Sequence, residues 1–429
     1  MSSVFGDFFT LQRGNTYKSA LLGQPGPVLL GLGSIQRNGG FKGEKLKTYG
    51  GHSDPRILLV PGDIYVSLKD VTQSADLLGA VARVPAEIEQ GRVTQDTVKL
   101  VFKEGAPRNY LYWLMRTPQY RAFCKSHGTG TTNLGLPRED FLSFSVPEHT
   151  PEREQAVETI QLLEDKIELN RRMNETLEEM ARALFRDWFV DFGPTRRQME
   201  GATDPAAILG QAFPPEKAAT LAPLFPAKLG ADGLPEGWKT GRLADWATSS
   251  PKTVKPDEVD PDTNYIGLEH MPRRSIALGN WETAEKVTSN KAHFSKGQVL
   301  FGKLRPYFHK VGIAPIDGIC STDIVVVDGL SKSLLPFVAT LMSSDEFVAY
   351  TNQSSTGTKM PRTSWKMMRD YYMARPPLST AEAFGEVVQP MHDKIMHSLG
   401  ENNALAEMRD LLLPHLMSGD IKLSELANG

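Results

Sequence analysis

A chain of 429 residues is long enough for two or three domains that each bury a core, and 40% hydrophobic with 23% charged residues is an ordinary globular balance. No apolar run reaches the length a bilayer demands, and the stretch from Met1 to Asp7 lacks the basic and apolar regions of an export signal, so a cytoplasmic location is expected. Cys124 and Cys320 stand far apart without a C-x-x-C, and the histidines form no H-E-x-x-H, so neither a disulfide framework nor a metal site is expected.

Residues 1 to about 150 read as short strands and turns. Ile57 to Val60, Asp63 to Val66, Ala80 to Val84 and Thr97 to Phe102 are apolar or β-branched runs cut off by Gly and Pro. Tyr110 to Cys124 carries Leu111, Leu114, Met115 and Phe123 at helical spacing. From Glu152 to Val190 the residues Ile160, Leu163, Ile167, Asn170, Asn174, Leu177, Ala181, Leu184 and Trp188 alternate by three and four, the seam of a coiled coil. At 1.5 Å per residue that helix would be a rod of roughly 58 Å. Pro151 suits its first turn and Gly193-Pro194 ends it.

Pro194 to Pro235 is rich in Pro, Ala and Gly and is expected to be a linker, ordered only in part. A second mixed block follows, with Pro336 to Tyr350 helical through Phe337, Leu341, Phe347 and Val348. The second seam, Phe384, Val388, Met391, Ile395, Asn402, Leu405 and Leu412, is expected to kink or restart at Pro390 and to break at Pro414.

The two halves repeat one another at an offset of roughly 228 residues. Leu29 to Leu32 is echoed by Tyr265 to Leu268, Asp96-Thr97-Val98 by Asp323-Ile324-Val325, and Thr129-Gly130-Thr131 by Thr356-Gly357-Thr358. Met180, Leu184, Phe185 and Trp188 fall on Met408, Leu412, Leu413 and Leu416. A period this long is no solenoid; it is two copies of a mixed α+β block, each closed by a copy of one helix. Such a chain suits the reading of two similar targets.

A net charge of −3 argues against a nucleic-acid partner until it is resolved by segment. Lys286 to Ile316 holds six bases and no acid, Gly105 to Arg138 five and none, and Phe347 to Arg369 four and none; Glu152 to Phe192 holds eleven acids against six bases. That division places an anionic polymer on the two blocks and a protein on the first helix. The basic density falls in matching loops. Lys303, Arg305, His309 and Lys310 interleave with Tyr307 and Phe308 in block two, with Thr356, Thr358, Lys359 and Arg362 in a second loop. Ser67, Lys69, Thr72 and Gln73, then Thr129, Thr131, Thr132 and Asn133, are their counterparts in block one. Lys and Arg neutralise phosphates, while Arg, Asn, Gln and Thr reach base edges, so these loops are candidate DNA contacts. The bland alternative is Thr-rich turns that satisfy their own backbone.

Catalytic motifs fail on inspection. Gly297 to Lys303 imitates a P-loop, but Leu304 stands where a magnesium-holding Ser or Thr is required and Pro306 blocks the helix that should begin there. No active site, and no cofactor bound by the chain itself, is expected. Two competing readings are a scaffold whose two blocks grip protein, and an enzyme with a disguised site.

Taken in order, the runs Gly302-Lys303-Leu304-Arg305-Pro306-Tyr307-Phe308, Thr356-Gly357-Thr358-Lys359-Met360-Pro361, Leu234-Pro235-Glu236-Gly237-Trp238 and Leu411-Leu412-Leu413-Pro414-His415-Leu416 resemble those of the specificity (S) subunits of type I restriction-modification enzymes, over essentially the whole chain. The resemblance implies an α+β fold of two pseudo-symmetric target recognition domains, residues 1–150 and 236–378, separated by two long antiparallel coiled-coil helices, 151–193 and 379–417, with the linker at 194–235 and a tail at 418–429. It implies that each domain reads one half of an asymmetric bipartite site in double-stranded DNA. Two modification (M) subunits would supply S-adenosylmethionine chemistry and two restriction (R) subunits ATP and Mg²⁺ chemistry. It also shifts the Lys303 to Phe308 run towards phosphate positioning, leaving Thr72, Gln73, Thr131, Asn133 and Arg362 as candidate base readers. Block one has Val66-Ser67-Leu68-Lys69-Asp70 where block two has Phe301 to Arg305, so the half-sites are expected to differ. Asn174 and Asn402, repeat-equivalent on otherwise apolar seams, are expected to face one another and fix the helix register.

Overall fold

The computed structural model describes residues 3–419 apart from Glu44, Gln73, Thr132, Gln211, Ala212, Thr358 and Lys359. The chain divides into two units, Met1–Asp165 with Leu405–Gly429, and Lys166–Ala404.

In the first unit, strands Phe9–Arg13, Thr97–Phe102, Ile64–Ser67 and Val81–Arg83 lie side by side in that order, all antiparallel. A smaller sheet sets Val28–Leu30 parallel to Gly91–Val93, with Leu58–Leu59 antiparallel on the other side. The Tyr110 to Cys124 stretch is two helices, Arg108–Leu114 and Pro118–Ser126, because Thr117 caps the second one on Tyr120 N–H and Pro118 occupies its first turn. Phe5, Trp113, Tyr120 and Phe141 are fully buried between these helices and the larger sheet.

The second unit has the same strand order. Ala247–Thr248, Ile324–Gly329, Val299–Gly302 and Val311–Ile313 form its antiparallel sheet. In its second sheet Asn264–Ile266 runs parallel to Gly318–Cys320, as Val28–Leu30 does to Gly91–Val93. Its helical stretch is likewise split, into Leu335–Met342 and Asp345–Gln353, by the Ser344 cap on Phe347 N–H.

The first long helix runs Pro151–Phe189 and the second Leu378–Leu412. Pro390 neither ends nor restarts the second; it lies inside one continuous helix. Each unit contains a stretch of both, packed antiparallel. In the first unit Arg153 donates to the carbonyls of Leu416 and Met417, and Glu164 takes Arg409 at 2.7 Å. In the second, Phe185 meets Phe384 with ring centroids 5.7 Å apart, and Lys166 lies 3.5 Å from Glu401.

Two further expectations require correction. The segment 194–235 is folded rather than a linker: helices Gly193–Met199, Pro205–Leu209 and Pro215–Leu221 bury Ile208, Leu209, Ala218, Leu221 and Phe225 in the core of the second unit. Pro194, Pro205 and Pro215 occupy first turns of these short helices, where they favour the helix. Asn402 pairs not with Asn174 but with Asn170, whose Nδ2 donates to Asn402 Oδ1 at 2.8 Å and to Glu401 at 2.8 Å. In an antiparallel pair the partner's numbers run backwards, so repeat-equivalent residues meet only where the crossing point passes through them. Here it passes between Asn170 and Asn174, and Asn174 Oδ1 is buried with no partner among the described residues.

Candidate nucleic-acid interface

In each unit the loop that begins at Thr129-Gly130 or Thr356-Gly357 folds back on the residues just past an inner strand of the larger sheet. Thr129 and Gly135 exchange backbone hydrogen bonds of 2.8 Å, and Gly135 pairs in turn with Lys69. Gly130 turns this loop at φ +106°, where a Cβ would lie 2.4 Å from the Asn133 carbonyl oxygen. In the second unit Thr356 and Arg362 exchange bonds of 3.0 and 2.9 Å, and Arg362 pairs with Leu304.

An aspartate from the turn before the long strand reaches into each loop. Asp96 takes the Lys69 ammonium at 2.9 Å, and Asp323 takes the Arg362 guanidinium at 3.1 Å. The partner comes from the short strand Lys69–Asp70 in one unit and from the loop at Arg362 in the other, so the same carboxylate position holds a point charge in one and a planar fork in the other. Both pairs are partly exposed, where ion pairs contribute little stability, and both bases remain open to a competing anion.

The other nominated residues separate clearly. Thr131 and Asn133 are exposed at the loop tip, and Lys303 is half-buried with its backbone N–H on the Asp323 carbonyl. Arg305 is half-buried in a left-handed conformation at φ +51°. Thr72 has spent its hydroxyl on the buried carboxylate of Asp70, which also accepts the backbone N–H groups of Thr72 and Leu77. Ser67 is a correction: it is fully buried and donates to the Lys69 carbonyl at 2.5 Å, so it builds the hairpin instead of facing a ligand. Lys310 is another. Its ammonium donates to the Leu268 carbonyl, and burial, then the neighbouring Arg273, push its pKa down. Gln73, Thr132, Thr358 and Lys359 lie outside the described residues.

Three basic residues were missed. Arg13 and Arg138 line, with Lys69, Asp96 and Thr129, an open cleft of about 320 Å³ in the first unit. Arg273 reaches over the Phe308 ring at 3.9 Å. The Arg273-Arg274 doublet was the available signal; it lies just before the acid-free window that was counted.

Other chemistry is poorly provided for. Burial pushes the Cys124 thiol up to about 11 and the Cys320 thiol up to about 12, which leaves both protonated and unreactive at neutral pH. Among the described residues Glu269, His270 and Glu282 come close enough to share a metal. However, His270 Nδ1 accepts the Gly267 N–H at 2.9 Å, which places the ring proton on Nε2, the atom 4.0 Å from Glu282. No described helix is long and apolar enough to cross a membrane.

No family model matches the chain. It is 24% identical over 360 residues to the specificity subunit of the type I restriction enzyme MjaIX of Methanocaldococcus jannaschii, covering 81% of this chain and 76% of that one. It is 25% identical over 311 residues to the EcoDI specificity subunit of Escherichia coli, covering 70% and 67%. The chain is a homologue of type I restriction enzyme specificity subunits. In structure it is similar to the S subunit of a type I restriction-modification system from M. genitalium, with a TM-score of 0.54 at 14% identity over 97% of this chain and 95% of that one. That match supports the mixed α+β fold with long helices. The specificity subunit is by its name one component of a larger enzyme, which agrees with the expectation of a chain without catalysis of its own.

Proposed function

We propose that this specificity subunit reads an asymmetric, bipartite target in double-stranded DNA, one half-site per unit, and thereby positions the catalytic subunits of a type I restriction-modification complex. The observation that carries the proposal is the paired one above: two units of identical strand order present unlike bases at the same place, past the end of an inner strand, Lys69 on Asp96 in one and Arg362 on Asp323 in the other. Two related but unlike readers on one chain suit two unlike half-sites, with the units as pseudo-symmetric copies and the long helices as a coiled-coil spacer. Two modification subunits bringing S-adenosylmethionine and two restriction subunits bringing ATP and Mg²⁺ complete the complex in the cytoplasm.

Methylation mapping of host DNA with and without this chain tests the proposal. The expected result is loss of adenine methylation at one bipartite, asymmetric sequence; unchanged methylation removes the proposal. Binding of the full-length chain to duplex DNA separates it from a protein scaffold, because each neutralised phosphate adds about −0.9 to the slope of log K against log salt.

A further inference from the structure

We propose that Arg273 and Arg305 form a clamp on the phosphodiester backbone in the second unit, with the Phe308 ring as the platform that aims both guanidinium groups. The inference rests on the DNA-reading function above and adds to it a defined contact. Arg273 lies 3.9 Å and Arg305 5.9 Å from the ring centroid, so two positive groups are gathered on one side chain at most about 10 Å apart. Neither has a carboxylate partner among the described residues. Of the acids nearby, Asp345 is taken by Arg274 at 3.0 Å and faces His309 at 3.4 Å, and Glu269 acts on Lys310. A guanidinium stacked on a ring keeps its N–H fork free, and that fork matches a phosphate.

The backbone is bent to make this gathering possible. Arg274, Arg305 and His309 have φ of +58°, +51° and +51°, three left-handed non-glycine residues around one ring. Each is fastened. Arg274 N–H donates to the His309 carbonyl at 2.8 Å, Arg305 N–H to the Pro361 carbonyl at 2.7 Å, and His309 N–H to the Pro306 carbonyl at 2.8 Å. The buried His309 ring is anchored by Nε2 on the Ser343 carbonyl at 2.9 Å. The Pro361 bond also ties the clamp to the Arg362 loop, so a backbone grip and a candidate base reader share one support. In the first unit Arg83 and Arg116 also share one ring, Tyr112, at 4.3 and 6.0 Å, but there Arg116 is taken by Glu164 at 3.3 Å and Arg83 donates to Gln161 and Asn109, so neither fork is free.

The test uses the full-length chain, a duplex selected from random sequence for tight binding to it, and neutral methylphosphonates placed one at a time along both strands. Arg273→Gln and Arg305→Gln are each expected to weaken selected and unselected duplexes by the same factor, about 3- to 10-fold in dilute salt, and to lower the salt slope by about 0.9. One methylphosphonate position, or two adjacent ones, should weaken the unmodified chain but not the variants. Lys310→Gln, whose ammonium is already spent, should behave like the unmodified chain, and thermal melts of all three confirm folding. An unchanged methylphosphonate profile, or altered base preference in Arg273→Gln, overturns the clamp while leaving the DNA-reading function standing. A chain that selects no duplex overturns both.

Discussion

Glu164 and His392 stand at the same place on the two long helices, 228 residues apart, and one position is put to opposite uses. Burial pushes the Glu164 carboxyl up, but Arg116 at 3.3 Å and Arg409 at 2.7 Å outweigh it and hold the pKa below its usual range. His392 has no such partner. Its Nε2 is buried without a hydrogen bond among the described residues, and burial, countered in part by Asp393, pushes its pKa down to about 4. The sign follows from proton counting. Below about pH 6.5 the unfolded chain protonates this histidine and the folded one does not, so stability falls as pH drops from about 6.5 to about 4, by on the order of 3 kcal/mol. Glu164 acts in a lower window, losing its contribution as pH falls below about 4.3 towards its depressed folded value. Denaturant unfolding of His392→Leu between pH 7 and 4 should therefore show a flatter profile than the parent above pH 4.5. An identical slope would mean that the ring is charged or solvated in the folded chain.

The long helices show which features of an element a sequence can carry. The seam residues Ile160, Ala181, Leu184, Trp188, Phe384, Val388 and Ile395 are all buried, because three-four spacing fixes a helix face without reference to a partner. Partner register is a relation between two faces, and there the one-turn error at Asn174 arose. The consequence is measurable. Asn402→Leu takes the acceptor from the buried Asn170 amide and should cost about 1–3 kcal/mol, whereas Asn174→Leu removes an unpaired buried carbonyl and should hold or raise the melting temperature. The reverse order in thermal melts would restore Asn174 as the register residue. The same limit explains the segment 194–235, where Pro and Ala were informative about backbone but silent on Leu209 and Phe225 finding the aromatic cluster of Trp188 and Phe384. Strands were legible because β-branched runs end at turns: Thr97–Phe102 lies where expected. In the loops, charge type was legible and hydrogen-bond use was not. Ser67, Thr72 and Lys310 read as free polar groups until Lys69, Asp70 and Leu268 were seen to engage them.

At the scale of the whole chain, a unit is not a continuous stretch of sequence. The core of the first unit takes Phe5, Trp113 and Phe141 from the N-terminal block, Ala156, Val157 and Ile160 from the first long helix, and Leu412, Leu413 and Leu416 from the end of the chain. Trp113 Nε1 and Arg83 both donate to Gln161, and Arg116 to Glu164, so the block is also joined to its helix by polar contacts. Recognition is expected to be modular in spite of this, because the basic loops of each unit are built within that unit. Exchanging residues 1–150 for the corresponding block of another specificity subunit should change one half-site of the methylated sequence and leave the other alone. That chimera should also unfold more easily, since a foreign block meets Ile160, Leu412 and Leu416 with unmatched shapes, and core mismatches of this kind cost about 1–3 kcal/mol. Exchanging residues 1–165 together with 405–419 moves the core intact, and should give the same new half-site with stability restored. Methylation mapping reads the first outcome and thermal melts read the second. Altered bases in both half-sites would mean that the two units do not read independently, and equal stability of the two chimeras would mean that the core does not depend on the helix ends.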